Sequence, residues 1–386
     1  MTIAISGHVA PGLERVAEAF RAGFDDRPSM GAALHVRRDG ETVLDLWAGI
    51  ADERTGQAWT ATTPSVIFSC TKGLMSILAA QLVEAGRLDY DAPVSSYWPE
   101  FAAASKGSVT VRHLLAHKAG LSAPRQDLSL EDMLDWTKVT SLLAAQEPLW
   151  PLGQGYAYHA ITHGWLIGEV IRRITGKPVG QVFAEAIASP LGVDAWVGLP
   201  ASEMNRPAHL QVAPGLAQLW VDEAAKPAPN WPYRAMTLGG ALPPSLVTAD
   251  GGFNDPQVQA AEIPGAGGIA TAAALATIWS ATVVPTKGVR LIGDAIMARA
   301  TQTETEGAPV FEAQPPFPRW GMGLQLDSEA RRFIGEGSFG HDGAGGQVGF
   351  ADPRHRIGFG YVTNWMEGAG DLRATAILDA LRQIVT

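Results

Sequence analysis

The chain has 386 residues, 46% of them hydrophobic and 18% charged, with a formal net charge of −10. That balance predicts a soluble globular protein with core enough for two or three domains, and it excludes a disordered chain. The negative charge argues against nucleic acid and anionic membranes as partners, and the lone cysteine, Cys70, rules out an internal disulfide.

Met1 to Gly7 lacks the basic and apolar stretches of a signal peptide, and no run of about 18 apolar residues occurs, so the expected location is the cytoplasm. Val9 to Phe24 places Leu13, Val16 and Phe20 at helical spacing with charges between, which predicts an amphipathic helix. Ala32 to Arg38 and Thr42 to Trp47 flank Asp39-Gly40, a strong hairpin signal. Pro64 then blocks a helix and predicts an extended segment over 64–68. From Ser69 an apolar helical pattern runs through Leu74, Ile77, Leu78, Leu82 and Val83 until Gly86 stops it.

Between Gly86 and about Gly265 helices dominate. Short helices are expected over Val109–His117 and Val179–Ser189, and longer ones over Glu131–Gln146 and Ala160–Thr175, the last closed by Gly176. Residues 200–264 are rich in Pro and Gly without a period and read as long loops or a lid. Strand patterns return at Trp320–Leu326, Phe339–Phe350 and Ile357–Thr363, and Asp371–Ile384 reads as a closing amphipathic helix. Strands at both ends with helices between predict an α+β fold. One domain would combine residues 1–85 with 265–386, and residues 86–264 would form a mainly helical inserted domain with long loops. A cleft between two such parts is a natural active site.

Ser69-Cys70-Thr71-Lys72 is the only S-x-x-K in the chain. A serine at a helix start is ordinarily an N-cap. With Lys72 one turn later on the same buried face, it is also a candidate nucleophile beside an amine whose pKa burial lowers. The helix start adds free N–H groups suited to an oxyanion. Tyr156 and Tyr158 follow the Pro151-Leu152-Gly153 turn. Either can pack under the loop or face a cleft, and a cationic lysine nearby would lower a phenol pKa. Gly340-His341-Asp342-Gly343-Ala344-Gly345-Gly346 allows close backbone approach to a ligand or a bulged strand. It is no dinucleotide fingerprint, because Val348 stands at the last glycine position and a strand follows. His113/His117 and His159/His163 sit at i,i+4, a spacing that can chelate zinc, but neither pair has the glutamate of H-E-x-x-H. No metal and no cofactor are expected. Cys70 points away from Ser69 and reads as a small core residue.

S-x-x-K, a tyrosine after a Pro-x-Gly turn and H-x-G in a late glycine-rich strand stand in a familiar order. With "GRLDYDAPVSSYWPEF" (86–101), "SVTVRHLLAHKAGL" (108–121) and "FGHDGAGGQVGFADP" (339–353), the whole chain resembles the serine β-lactamase and penicillin-binding-protein superfamily. Within it, the chain is most similar to class C β-lactamase-like serine esterases, the family VIII carboxylesterases. The resemblance implies an antiparallel sheet flanked by helices and joined to an all-α domain. It also implies Ser69 as acylated nucleophile, with Lys72 as base and Tyr158 sharing or relaying the proton. His341 and Gly343 would occupy the place of the Lys-Thr-Gly strand motif, and the N–H groups of Ser69 and Ala344 would form the oxyanion hole.

Two departures bear on substrate. Ala160 replaces the asparagine that holds a lactam's side-chain amide, and His341 replaces the lysine that meets a substrate carboxylate. The expected activity is therefore hydrolysis of short- to medium-chain carboxylic esters through an acyl-serine. Tryptophans such as Trp136, Trp150, Trp231 and Trp320 are candidates to line an apolar acyl pocket. A β-lactamase, D-amino-acid peptidase or transacylase using the same residues is the alternative, with a silent binding protein and a zinc hydrolase as rivals of other classes. The expected partner is a small-molecule ester.

Overall fold

Alternation on either side of Asp39-Gly40 forms the hairpin Gly31–Arg38 and Glu41–Asp52. The computed structural model, which describes residues 3–368 and 370–385, builds the main sheet outward from it. Ser6–Val9 pairs with Glu41–Asp52 on one side. Beyond Gly31–Arg38 come Ile357–Thr363, Val348–Asp352, Phe339–Asp342, Gln325–Leu326 and Arg319–Trp320, all antiparallel. Both ends of the chain thus contribute to one antiparallel sheet flanked by helices, the expected fold class.

The sheet buries both faces, by different means. On one face Leu34, Val36, Phe350 and Phe359 pack with Val16 and Phe20 of the helix Glu14–Ala22 and with Ile377 and Leu378 of the helix Arg373–Val385. Burying each phenylalanine there contributes about 2 kcal/mol. The other face is kept low by glycines. A Cβ on Gly358 or Gly360 would stand 2.4 Å from the carbonyl oxygen of Ala276 or Ala272. The helix Ala272–Val283 can therefore lie directly on the strand.

The helix Cys70–Glu84 is buried nearly all round, against the strand Phe339–Asp342 and the helix Thr162–Thr175. A small second sheet orders Ser65–Val66, Gly268–Ala270 and Ala195–Val197, tying the approach to Ser69 to the segment around Gly265. Gly176 closes Thr162–Thr175 in the left-handed conformation, as expected.

Three readings need correction. The expected helix 131–146 is two helices, Leu130–Leu134 and Trp136–Ala145. The break falls at Asp135, whose carboxylate accepts from Lys138 N and caps the second. The Pro/Gly-rich 200–264 is not loop throughout, for it holds the helices Pro214–Ala224, Trp231–Thr237 and Pro256–Ala260. In each the proline sits in the first turn, where its missing N–H costs nothing, so it starts the helix instead of breaking it. The helix expected over 179–189 contains a π turn at Ala184–Ala188 and runs on to Leu191. No helix among the described residues is long and apolar enough to cross a membrane.

Candidate active site

Ser69 is presented by a strained turn. Phe68, fully buried against Phe253 at 5.3 Å between ring centroids, holds a left-handed φ of 43°. The chain thereby swings from the extended Ser65–Val66 into the helix. A non-glycine residue in that region persists only where its surroundings over-determine it. Ser69 occupies the N-cap position, yet its hydroxyl makes no capping bond. It lies 3.0 Å from Lys72 Nζ instead.

Lys72 is completely buried, and burial lowers its amine well below the ordinary lysine value. Nζ donates to the carbonyl oxygens of Ala160 at 2.5 Å and Gly265 at 2.7 Å. A neutral amine has two N–H bonds and one lone pair. With both N–H bonds taken by carbonyls, the lone pair is left for the Ser69 hydroxyl, which is the geometry a general base needs. Gly265 can come this close because neither it nor Gly164 has a side chain. A Cβ on Gly265 would lie 2.4 Å from Ile161 O.

Tyr158 closes the third side. Its ring stacks on Trp320 (5.2 Å, 19°), and Lys72 Nζ sits 4.9 Å from its centroid. Burial raises the phenol pKa, with a hydrogen bond to Ser69 acting in the opposite sense. The sequence reading expected a phenol lowered by a lysine cation. The enclosure that lowers the Lys72 amine raises the Tyr158 phenol instead. Tyr156 is not at the reacting centre, and its hydroxyl donates to Gly307 O at 2.7 Å.

Across the cleft, the strand Phe339–Asp342 runs into the glycine turn. His341 is buried, and desolvation pushes its imidazole down to about 3, so it is neutral. Nδ1 faces the Asp342 carbonyl at 2.7 Å and must donate to it. Asp342 is paired with Arg331 at 2.7 Å. Gln347, fully buried and missed by the sequence reading, braces the turn. Its carbonyl accepts from Gly343 N (2.7 Å), its Oε1 accepts from Gly345 N (2.9 Å), and its Nε2 donates to Thr363 O (2.9 Å). That leaves the Ala344 N–H, between two satisfied neighbours, without a partner. The Ser69 N–H has none either, among the described residues. A Cβ on Gly343 would lie 2.6 Å from Ile67 O, so only glycine lets the turn approach the Ser69 segment this closely.

Ser69, Tyr158, His341, Gly343 and Ala344 line one cavity of about 400 Å³ whose remaining walls are mostly apolar, including Met236, Phe317 and Trp320. Of the four tryptophans singled out, only Trp320 reaches it. Trp136 lines a separate groove beside Glu169, Trp150 packs against His159 and Phe311, and Trp231 stacks with Arg125. Cys70 is buried with its thiol raised by desolvation, and Sγ donates to His341 O at 3.0 Å, a core residue as expected.

The His pairs dissolve. The helix holding His113 ends at Leu115, and His117 has a left-handed φ of 63°, so the two share no helical face. The helix after His159 begins only at Thr162. The fold gathers His117, His159 and His163 instead, the last two with centroids 5.7 and 5.0 Å from that of His117. Among the described residues no group is arranged to hold a metal.

Comparison with known proteins shows the family and the fold. The Beta-lactamase family model matches residues 16–383. The Esterase/beta-lactamase LipL of Mycobacterium tuberculosis is 33% identical over 371 residues, spanning 93% of this chain and 83% of that protein. The crystal structure of a family VIII carboxylesterase superposes with a TM-score of 0.86 at 36% identity, covering 99% of this chain and all of the other. EstA from Arthrobacter nitroguajacolicus Rue61a gives 0.84 at 31% identity, covering 98% and 97%. With nearly its whole length matched, this chain belongs to the β-lactamase family.

Proposed function

We propose that this enzyme hydrolyses short- to medium-chain carboxylic esters through an acyl-serine formed on Ser69. Ser69 Oγ attacks the ester carbonyl carbon as its proton passes to the Lys72 amine. The resulting oxyanion is held by the N–H groups of Ser69 and Ala344. The carbon–alkoxy bond then breaks, and the alcohol oxygen takes a proton from the Tyr158/Lys72 pair. Water enters, gives its proton to the same pair, attacks the acyl carbonyl, and releases the acid with Ser69 restored. The single cysteine fits a cytoplasmic setting, where disulfides are rare.

One observation carries the reading: two backbone N–H groups without a partner among the described residues belong to residues lining the same cavity, one of them the serine beside a buried amine. The esterase and carboxylesterase names of relatives at 33% and 36% identity support an ester as substrate. LipL's name also includes β-lactamase, so β-lactam hydrolysis is the second reading. The cavity speaks for the ester. Among the described residues it is lined by no lysine or arginine, His341 is neutral, and Ala160 offers no side-chain amide for a lactam substituent.

The test compares wild type with Ser69→Ala on a nitrophenyl butyrate ester, with mass spectrometry of the trapped acyl-enzyme. Wild type is expected to turn over and to carry the butyryl group on Ser69. The variant is expected to lose at least about a hundredfold. Equal rates in the two proteins would overturn the assignment.

A further inference from the structure

We infer that His117 is a positioning residue for Tyr158, acting through its Nδ1 atom on the backbone that carries the tyrosine. The inference rests on the ester-hydrolase reading of Ser69, Lys72 and Tyr158. Its starting point is a residue in an expensive conformation. His117 follows the helix Val111–Leu115 by two residues. Its own N–H donates to Leu114 O and that of Lys118 to His113 O, the pattern of a left-handed helix stop. Glycine or asparagine fills such a position without steric cost. A fully buried histidine there, with φ 63°, indicates that its side chain is needed.

The side chain and the backbone both act on one tripeptide. His117 O accepts from Ala157 N at 3.3 Å, and His117 Nδ1 accepts from His159 N at 3.2 Å. The two neighbours of Tyr158 therefore hang on the same residue. The imidazole also lies against the Tyr158 ring, 4.9 Å between centroids at 57°, with Trp320 stacked on that ring as well. An amide N–H can only donate, so Nδ1 must be the unprotonated nitrogen. Burial keeps the ring in that neutral form. A protonated His117 would have no acceptor to offer and would release the His159 end of the tripeptide.

Two variants separate this role from helix capping. His117→Gly suits the left-handed backbone and keeps the carbonyl but deletes the Nδ1 acceptor. His117→Asn also tolerates that backbone and places Oδ1 where Nδ1 stood, the same number of bonds from Cβ. Both are assayed on nitrophenyl butyrate below their melting temperatures, with kcat and KM resolved. For the glycine variant kcat is expected to fall by about tenfold to a hundredfold with KM within about threefold, as for a misplaced proton donor. The asparagine variant is expected to recover most of that loss. A glycine variant with wild-type kcat would make His117 a cap and nothing more. An asparagine variant no better than glycine would overturn the role of Nδ1. If Ser69→Ala instead stays active, it is the ester-hydrolase reading that fails, on a separate measurement.

Discussion

Replacing Lys72 by methionine tests the centre of the site directly. Methionine keeps the length and apolar character of the stem while removing the amine. Ser69 Oγ then loses its base, and the carbonyls of Ala160 and Gly265 lose their donor. A general base contributes about 10²- to 10⁴-fold, so kcat should fall within that range, corresponding to about 3–5 kcal/mol of barrier. Stability should change far less. Two orphaned buried carbonyls cost about 1–3 kcal/mol each, but the variant no longer has to desolvate an amine, and the two effects oppose one another. At about 2 °C per kcal/mol for a chain of this size, melting should drop by a few degrees only.

The pH profile sharpens the test. The base works only unprotonated, and burial lowers the Lys72 pKa. Wild-type kcat should therefore fall as pH drops through that lowered value, and Lys72→Met should lack this acid limb. Because nucleophile and base act as a unit, the double variant with Ser69→Ala should be no slower than Ser69→Ala alone. A folded Lys72→Met enzyme within tenfold of wild type, with its acid limb intact, would refute the argument and move the base to Tyr158.

Gln347→Ala should lower kcat about tenfold or more while KM moves less than about threefold, since the brace acts on a donor that matters most for the oxyanion; a rise in KM at constant kcat would contradict this. Gly343→Ala drives a Cβ toward Ile67 O and should cost about a hundredfold in kcat by separating the two N–H donors; an active variant would mean the turn is not held by that contact. The protein should also be acid-labile. His159 is lowered to about 4 and His341 to about 3, so between those values and the ordinary 6.5 the unfolded chain binds more protons, and stability is lost as pH falls from about 6.5. Each should cost about 2 kcal/mol at pH 5, measurable by denaturant unfolding at pH 7 and pH 5; equal stability at the two would contradict their burial as neutral rings.

What was legible in the sequence was what short-range chemistry dictates. Asp39-Gly40 fixes a hairpin because few other dipeptides make that turn, and Gly176 stops a helix because it alone there takes the left-handed conformation freely. The order of Ser69, Lys72, Tyr158 and His341 identified a cavity that the fold does assemble. Illegible were contacts made by backbone. The carbonyls of Ala160 and Gly265, which orient Lys72, belong to residues whose side chains carry no chemical signal. Gln347 directly follows the glycine turn it sits under, and it looks like any other glutamine until the turn is closed over it. The helix Ala272–Val283 escaped notice because, buried on most sides, it shows little amphipathic period. The direction of the Tyr158 shift was missed for a related reason. A neighbouring lysine can be read from a motif, but the burial that decides whether either group is charged belongs to the whole fold.

That burial also connects mechanism to substrate. The enclosure that lowers the Lys72 amine well below its ordinary value raises the Tyr158 phenol and keeps His341 uncharged. Asp342, the one charged side chain lining the cavity among the described residues, is matched by Arg331. A substrate carrying a carboxylate would have to be desolvated against apolar walls with no cation to receive it, at a cost a neutral ester does not meet. On the proposed mechanism, charge appears only as the carbonyl is attacked, on an oxygen assigned to two N–H groups that have no partner among the described residues. Donors left unpaired in the resting enzyme favour the transition state over the ground state, which is the condition for raising kcat. Placing a lysine at 341 would work against this arrangement. A second amine in the enclosure would compete with Lys72 for the role of base and depress it further, so binding of anionic substrates and basicity at Ser69 pull in opposite directions within this cavity.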